Sequence, residues 1–178
     1  MRPAFLVDGV TEQKFIQLVC KGRPVKIINC NGSSVSASAI AKRAASLIRL
    51  WGGKFFPIIL IVDREGRREA AAAFCTALRE SIVAEGVNDQ VIIGVADRMI
   101  ENWMIADPAV WPAHEIEDNV DGFGGVGKVK KMMPDYDKAA RGAGLLAKSR
   151  CSEICRRSES FSALFAQLTA LRCAWLRR

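Results

Sequence analysis

Acidic residues follow three short apolar segments of the sequence and carry its clearest chemical signal. They come in pairs two or four positions apart, namely Asp8 and Glu12, Asp63 and Glu65, and Asp97 and Glu101. Carboxylate ligands without His or Cys favour Mg²⁺ or Mn²⁺ over softer metals. If these side chains converge, their mutual repulsion needs a counter-charge, so the pattern predicts a site for one or two such cations.

Each carboxylate also has an ordinary structural explanation when it is considered alone. Glu12 could complement the dipole of its helix, and Asp63 could begin a turn or cap a helix. Asp97 and Glu101 could lie on one solvated helix face, although like charges at that spacing are mildly destabilising. These explanations fit poorly together, because three separate strand ends would gather several negative charges at one edge.

The first hundred residues alternate apolar segments with amphipathic ones in a β-α-β-α-β-α-β order. The predicted strands are residues 4–7, 25–29, 57–62 and 91–95. The predicted helices are residues 11–20, capped by Thr11, 36–51, and 67–85, ended by Gly86. This order predicts the α/β class, with a mostly parallel four-stranded sheet and helices on both faces. Ligands of such sheets bind at the carboxyl ends of the strands, where the acidic residues are expected.

The pattern changes after Pro112, where a basic helical extension is expected. The glycine-rich segment 118–128 predicts a mobile loop, and VKKMM and DYDKAARGAGLLAK predict short basic helices. A last helix, whose apolar stripe packs on the domain, is predicted from Phe161, Leu164, Phe165, Leu168, Leu171 and Trp175. The chain, 1–178, is thus predicted to be one domain, with an α/β core at 1–110 and the extension at 111–178.

Positive charge is concentrated in the C-terminal third of the chain. The net charge is +7, and residues 123–178 hold twelve Lys or Arg against four Asp or Glu, whereas residues 1–122 hold fourteen against fifteen. This asymmetry predicts a polyanionic partner, most often nucleic acid, although a surface that serves only solubility explains it about equally well. The candidates for contact with a phosphate backbone are Lys128, Lys130, Lys131, Lys138, Arg141, Arg156 and Arg157.

Composition argues against several other classes of protein. Apolar residues make up 50% and charged residues 25% of the 178, a globular balance. No apolar segment approaches the roughly 18 residues that cross a bilayer, and Asp8 comes too early for a signal peptide. A cytoplasmic protein without membrane contact is therefore expected. Six cysteines without a CxxC pair, and a single histidine, His114, argue against a zinc site and favour reduced thiols.

Several segments taken together resemble the Toprim fold. FLVDGVTEQKF resembles its first motif, a strand that ends in an acidic residue and glycine, and IILIVDREGR is similar to its second, an acid-x-acid pair. RMIENWMIAD, YDKAA and SESFSALFAQL resemble segments of small bacterial Toprim-like proteins related to the OLD-type nucleases. The resemblance covers most of the chain and implies a Toprim-like α/β fold.

The resemblance also implies roles for individual residues. The implied metal ligands are Asp8, Glu12, Asp63, Glu65 and Glu101, of which the first four are also the implied catalytic residues. Lys138 matches a basic position that could meet a phosphate. Two departures, Asp8 where Glu is usual and Glu65 where Asp is usual, move the carboxylate oxygens by about one carbon–carbon bond length. Metal binding tolerates such a displacement better than catalysis does.

The function implied by the resemblance is a Mg²⁺-dependent phosphodiesterase, a nuclease acting on DNA or RNA. Relatives of this type are often fused to an ABC-type ATPase, or encoded beside one, in bacterial phage-defence systems. The segment GFGGVGKV has Val129 where a P-loop needs Ser or Thr, so a separate ATPase partner is implied.

Two other functions fit the same residues. The fold could have lost catalysis through the departures at Asp8 and Glu65 and serve as a nucleic-acid-binding or regulatory subunit. It could also act on a small nucleotide over which the basic segment closes. An exposed patch on the last helix would favour a homodimer.

Overall fold

A sheet of four parallel strands forms the centre of the protein. The computed structural model describes residues 2–168, 170–171 and 173–177. The strands are β1 (Ala4–Val7), β2 (Val25–Ile27), β3 (Ile58–Asp63) and β4 (Val91–Ala96), in the spatial order β2-β1-β3-β4. The prediction of an α/β protein with a parallel four-stranded sheet is therefore confirmed.

Helices cover both faces of this sheet. Within the described residues they are α1 (Val10–Val19), α2 (Ala37–Trp51), α3 (Ala71–Ala84), α4 (Glu101–Ile105), α5 (Gly125–Met132), α6 (Ala143–Lys148), α7 (Cys151–Arg157) and α8 (Glu159–Phe165). A π-helix spans Lys138–Gly142, and a 3₁₀ helix spans Ala174–Arg177. None of these helices is long and apolar enough to cross a membrane.

The side chains of the two central strands alternate between two apolar cores. Ala4 and Leu6 of β1 point to the core formed with α2 and α3. Phe5 and Val7 point to the opposite core, formed with α1, α4 and the C-terminal helices. Because both faces of β1 and β3 are covered, these strands are apolar almost throughout, as is usual for parallel sheets.

Two helices begin at residues other than the predicted ones. α1 begins at Val10, and Thr11 does not cap it, because its side chain is buried and its hydroxyl faces the Lys138 carbonyl at 3.4 Å. α3 begins at Ala71 rather than at residue 67. The preceding loop is held instead by the Arg67 guanidinium, which donates to the carbonyls of Gly32, Val35, Asp63 and Arg64.

The C-terminal apolar stripe packs on the domain, as predicted, but it does not form one helix. α8 ends at Phe165, and the chain then folds back. The rings of Phe161 and Trp175 have centroids 5.7 Å apart, whereas fourteen residues of straight helix would separate them by roughly 21 Å. The fold-back also brings Trp175 to Phe15 of α1, with ring centroids 4.8 Å apart. The early end of the helix thus allows these rings to pack against one another.

The glycine-rich segment is only partly a loop, which corrects the prediction of a mobile loop over 118–128. Its second half begins α5 at Gly125, where the helix packs closely on α4. A Cβ atom at Gly125 would lie 2.7 Å from the Cβ of Glu101 and 2.5 Å from Oδ1 of Asn102. The absence of a side chain at Gly125 thus permits close helix packing.

An ion pair between a buried carboxylate and a partly exposed arginine ties α7 to the end of α4. Asp107 is fully buried and accepts hydrogen bonds from the Arg150 backbone and guanidinium at 2.6–3.0 Å. Burial alone would raise the pKa of Asp107, but these bonds and one from Ala109 N lower it below its ordinary value. The stabilisation is therefore present above the ordinary pKa and is lost as the pH falls below it.

We expect Asp107→Ala to lower the free energy of unfolding by about 2 kcal/mol, because several donors lose their acceptor. The loss is smaller than for a fully buried pair, since the Arg150 side chain is 44% exposed. Urea denaturation checks this value. Asp118→Ala removes an equal charge from an exposed side chain and is the control. A similar loss in both variants would contradict the prediction.

Candidate functional site

Five of the six carboxylates identified in the sequence come together at the carboxyl edge of the sheet. Asp8 follows β1, Asp63 is the last residue of β3, and Glu101 begins α4, which follows β4. Glu12 reaches the same place from α1, and Glu65 from the loop after β3. Their charges act on one another, so this edge is a concentrated negative site.

The Asp8 carboxylate accepts hydrogen bonds from one backbone donor and one side-chain donor. Its Oδ2 accepts a hydrogen bond from Asp63 N at 3.3 Å. The Asn31 amide nitrogen, when it faces Asp8, donates to Oδ1 at 2.9 Å. Burial and the charges of Glu12 and Glu65 nevertheless raise the pKa of Asp8 to about 6. The group therefore titrates near neutral pH and gains from a nearby cation.

Asp63 lies at the centre of the cluster. Its Oδ1 accepts a hydrogen bond from Ile100 N at 2.8 Å, which fixes the carboxylate against the turn before α4. Burial, followed by the charges of Glu12, Glu101 and Asp8, raises its pKa well above the ordinary value. The site therefore holds negative charge that the protein itself only partly compensates.

Lys138 supplies a positive charge within this cluster. Its Nζ lies 3.0 Å from Oε1 of Glu101 and 3.9 Å from Oε1 of Glu12. Glu101 is fully buried, so this ammonium compensates a carboxylate that water does not reach. The Tyr136 hydroxyl is buried nearby, where burial and the charges of Glu101 and Glu12 raise its pKa. Lys138 thus faces carboxylates here, whereas the sequence predicted a phosphate contact for it.

The loop after β3 completes the site. Glu65 adopts a left-handed backbone conformation, with φ of 60°, and its N–H donates to the Arg98 carbonyl at 2.7 Å. Arg67 is 7% exposed, and its positive charge lowers the pKa of Asp8 against the larger effect of burial. Sequence reasoning missed both Asn31 and Arg67 as parts of the site. Position 67 could have been found as a basic residue beside the acid-x-acid pair.

Asp97 is outside the cluster, although the sequence predicted that it shares a helix face with Glu101. α4 begins only at Glu101, so Asp97 lies in the bend after β4 and pairs with Arg64. The Asn102 side chain donates to the Asp97 carbonyl at 2.8 Å and stabilises this bend. The four-residue spacing therefore does not correspond to one turn of helix here.

The other basic residues of the extension differ in their exposure and in their ion pairs. Lys130 and Lys131 are exposed on α5. Lys128 pairs with Glu117 and lies over the Phe123 ring, 4.4 Å from its centroid. The remaining exposed residues are also paired, Arg141 with Asp135 at 2.7 Å and Arg156 with Glu153 at 3.2 Å.

Arg157 departs from the sequence prediction. It is 7% exposed, and its guanidinium pairs with Glu153 of the same helix. Its carbonyl accepts a hydrogen bond from Val120 N at 2.9 Å. A side chain buried in this way supports packing of the extension rather than contact with a phosphate backbone.

Neither the cysteines nor the carboxylates form a ready-made metal site in the described part of the chain. Of the six cysteines, Cys151 and Cys173 are buried and the other four are partly exposed. Among the described residues, no group of three or more His, Cys, Asp or Glu side chains is arranged to hold a metal ion as it stands. The carboxylates lie together with the Lys138 ammonium between two of them, so a metal would require that they rearrange.

Comparison with known proteins adds no assignment. No family model, no curated protein and no solved structure matches the chain.

Proposed function

We propose that the protein has a Toprim-like fold and is a divalent-metal-dependent phosphodiesterase that cleaves nucleic acid. The observation that carries the proposal is the convergence of five carboxylates at the carboxyl edge of the sheet, where Lys138 is the one ammonium at ion-pair distance from Glu12 and Glu101 among the described residues. Several buried carboxylates that share one ammonium are costly unless a further cation compensates their charge. Oxygen ligands alone favour Mg²⁺ or Mn²⁺ for that cation.

The residues divide into two candidate ligand groups. Asp8, Asp63 and Glu65 would hold one cation, and Glu12 with Glu101 would hold a second. When bound, such cations activate water and stabilise the leaving oxygen of a phosphodiester. The chain contributes the orientation: the hydrogen bond from Asn31 steadies Asp8, and the hydrogen bond from Ile100 N steadies Asp63.

Nucleic acid is the proposed substrate because of the basic extension. Lys130 and Lys131 are exposed and would dock the phosphate backbone without reading its sequence. The resemblance adds two further parts to the proposal, a separate ABC-type ATPase partner and a role in bacterial phage defence.

The test is cleavage of labelled plasmid, single-stranded DNA and RNA with Mg²⁺, Mn²⁺ or EDTA. We expect cleavage that requires metal and is lost when Asp63→Ala and Glu65→Ala are combined. Glu69→Gln, which changes an exposed carboxylate in the same loop, is the matched control and should cleave like the wild type. Cleavage that persists in the double variant would indicate a contaminating nuclease and contradict the proposal.

A catalytically inactive nucleic-acid-binding or regulatory subunit is the second candidate. The ion pair between Lys138 and Glu101 favours it, since an internal cation already compensates part of the charge. This function predicts salt-sensitive binding of nucleic acid and no cleavage with either metal. Absence of cleavage together with absence of metal binding would select it over the nuclease.

A further inference from the structure

One segment covers the carboxylates and connects α5 to α6. We refer to residues 136–142, from Tyr136 through the π-helix, as the strap. Both ends are anchored, since Tyr136 and Gly142 are buried, whereas residues 139–141 between them are exposed. A Cβ atom at Gly142 would lie 2.9 Å from both Cγ2 of Thr11 and the Tyr136 hydroxyl, so this end of the strap packs tightly on α1.

The middle of the strap is held to α1 by few contacts. The Thr11 hydroxyl lies 3.4 Å from the Lys138 carbonyl, a long hydrogen bond, and the exposed Lys14 donates to the Ala139 carbonyl at 2.8 Å. Single hydrogen bonds of this kind contribute little net stability when water competes for the same groups. The principal attachment of this middle part is therefore the Lys138 ammonium among the carboxylates.

The strap covers Glu12 and Glu101 while Lys138 is in place, and the neighbouring carboxylates are buried as well. Asp8, Glu12 and Asp63 are 5%, 3% and 7% exposed, and Glu101 is not exposed at all. A phosphodiester, which carries its own negative charge and bulk, cannot reach these side chains without a movement of the segment that covers them. The closed arrangement also has no ready-made group of metal ligands among the described residues.

We propose that Lys138 is an internal counter-ion which a divalent cation replaces, so that the strap leaves α1 and opens the carboxylates to a phosphate. This inference rests on the metal site proposed above and concerns the regulation of that site. Lys138 and a divalent cation compete because both neutralise Glu12 and Glu101, and two cations held at ion-pair distance repel each other. Departure of Lys138 leaves the buried Glu101 oxygens without a counter-charge, so they become available as ligands for the incoming cation.

The test compares Mn²⁺ binding to Lys138→Met with Mn²⁺ binding to the wild type. Calorimetry and electron paramagnetic resonance of the free ion measure this binding. Methionine keeps the length of the side chain and removes the competing charge. We expect the Kd for Mn²⁺ to fall by about tenfold or more. Lys42→Met makes the same change in net charge on the exposed face of α2 and should bind Mn²⁺ like the wild type.

Movement of the strap needs its own measurement, because removal of any nearby positive charge strengthens cation binding. Amine acetylation of the wild type, quantified for each lysine by mass spectrometry with and without Mg²⁺, supplies it. We expect Mg²⁺ to raise the labelling of Lys138 several-fold and to leave Lys130 unchanged. Tryptic cleavage after Lys138 and Arg141 should accelerate in parallel.

The outcomes separate this inference from the proposed function. If Mn²⁺ binds the wild type but labelling of Lys138 stays constant or falls, the strap does not open, and the nuclease proposal is unaffected. If neither the wild type nor Lys138→Met binds Mn²⁺, both proposals are overturned.

Discussion

Asp63→Asn is expected to abolish cleavage and, in the same variant, to stabilise the fold. The Asp63 side chain is almost completely buried, and burial, with the charges of Glu12, Glu101 and Asp8, raises its pKa well above the ordinary value. At neutral pH, burial of this carboxylate therefore lowers the free energy of unfolding, because water would solvate the charge better. A neutral amide of the same shape removes that cost.

The geometry of the site supports this substitution in particular. Oδ1 of Asp63 accepts the Ile100 N–H at 2.8 Å, and the asparagine oxygen can accept the same bond. We expect the free energy of unfolding in EDTA at neutral pH to rise by roughly 2 kcal/mol, within the range for replacement of buried charges. Metal-dependent cleavage should fall by at least about a thousandfold, since the central candidate ligand loses its charge.

Urea denaturation and single-turnover cleavage of the same preparation measure both effects. Asp63→Ala also loses the acceptor for Ile100 N and should therefore be less stable than Asp63→Asn. Glu69→Gln should change neither stability nor cleavage. An asparagine variant that is less stable than the wild type in EDTA would contradict the electrostatic argument. An asparagine variant that still cleaves nucleic acid would show that Asp63 is not a catalytic residue.

The site residues that the sequence predicts correctly are those whose positions are determined by the strands. Asp8 and Asp63 follow apolar segments whose burial on both faces is evident in their composition, so their place at the carboxyl edge could be predicted. The positions of Glu12 and Glu65 could be predicted as well, because these residues lie within four positions of Asp8 and Asp63. The parallel sheet and the helices on both faces are predicted by the same alternation of segments.

The partners of these carboxylates could not be predicted in the same way. Lys138 lies 126 residues from Glu12 in sequence and 37 from Glu101, so its place depends on how the strap packs against α1. Asp97 was predicted wrongly for a related reason, because an ion pair with Arg64 and the hydrogen bond from Asn102 hold it in a bend. Spacing predicts neighbours within a helix but does not reveal where the helix begins.

In the absence of metal, the free energy of unfolding is expected to fall as the pH rises from about 4 to about 6, and Asp8 is a principal cause. Burial, with the charges of Glu12 and Glu65, raises the pKa of Asp8 from 3.8 to about 6. The folded protein binds this proton more tightly than the unfolded chain does. Stability is thus greatest below the unfolded pKa and is lost as the pH rises to the folded one.

The size of the effect follows from the two pKa values. A difference of 6 − 3.8 corresponds to roughly 3 kcal/mol for a group that is 5% exposed. Asp8→Asn removes this contribution, so the decline between about pH 4 and 6 should be smaller by that amount than in the wild type. Glu12 and Asp63 have raised pKa values as well and contribute with the same sign, so the variant retains part of the decline.

If Mg²⁺ occupies the proposed site, we expect the trend to reverse, because a metal binds the ionised carboxylate and releases its proton. We expect saturating Mg²⁺ to stabilise the wild type more above the folded pKa of Asp8 than below it, and to stabilise Asp8→Asn much less at either pH. Urea denaturation across this pH range, with EDTA or Mg²⁺, measures both effects, and Glu69→Gln should behave like the wild type. An equal slope with pH in Asp8→Asn and the wild type would contradict the assignment of the raised pKa. Equal stabilisation by Mg²⁺ on both sides of that pKa would exclude Asp8 as a ligand, because a ligand must first lose its proton.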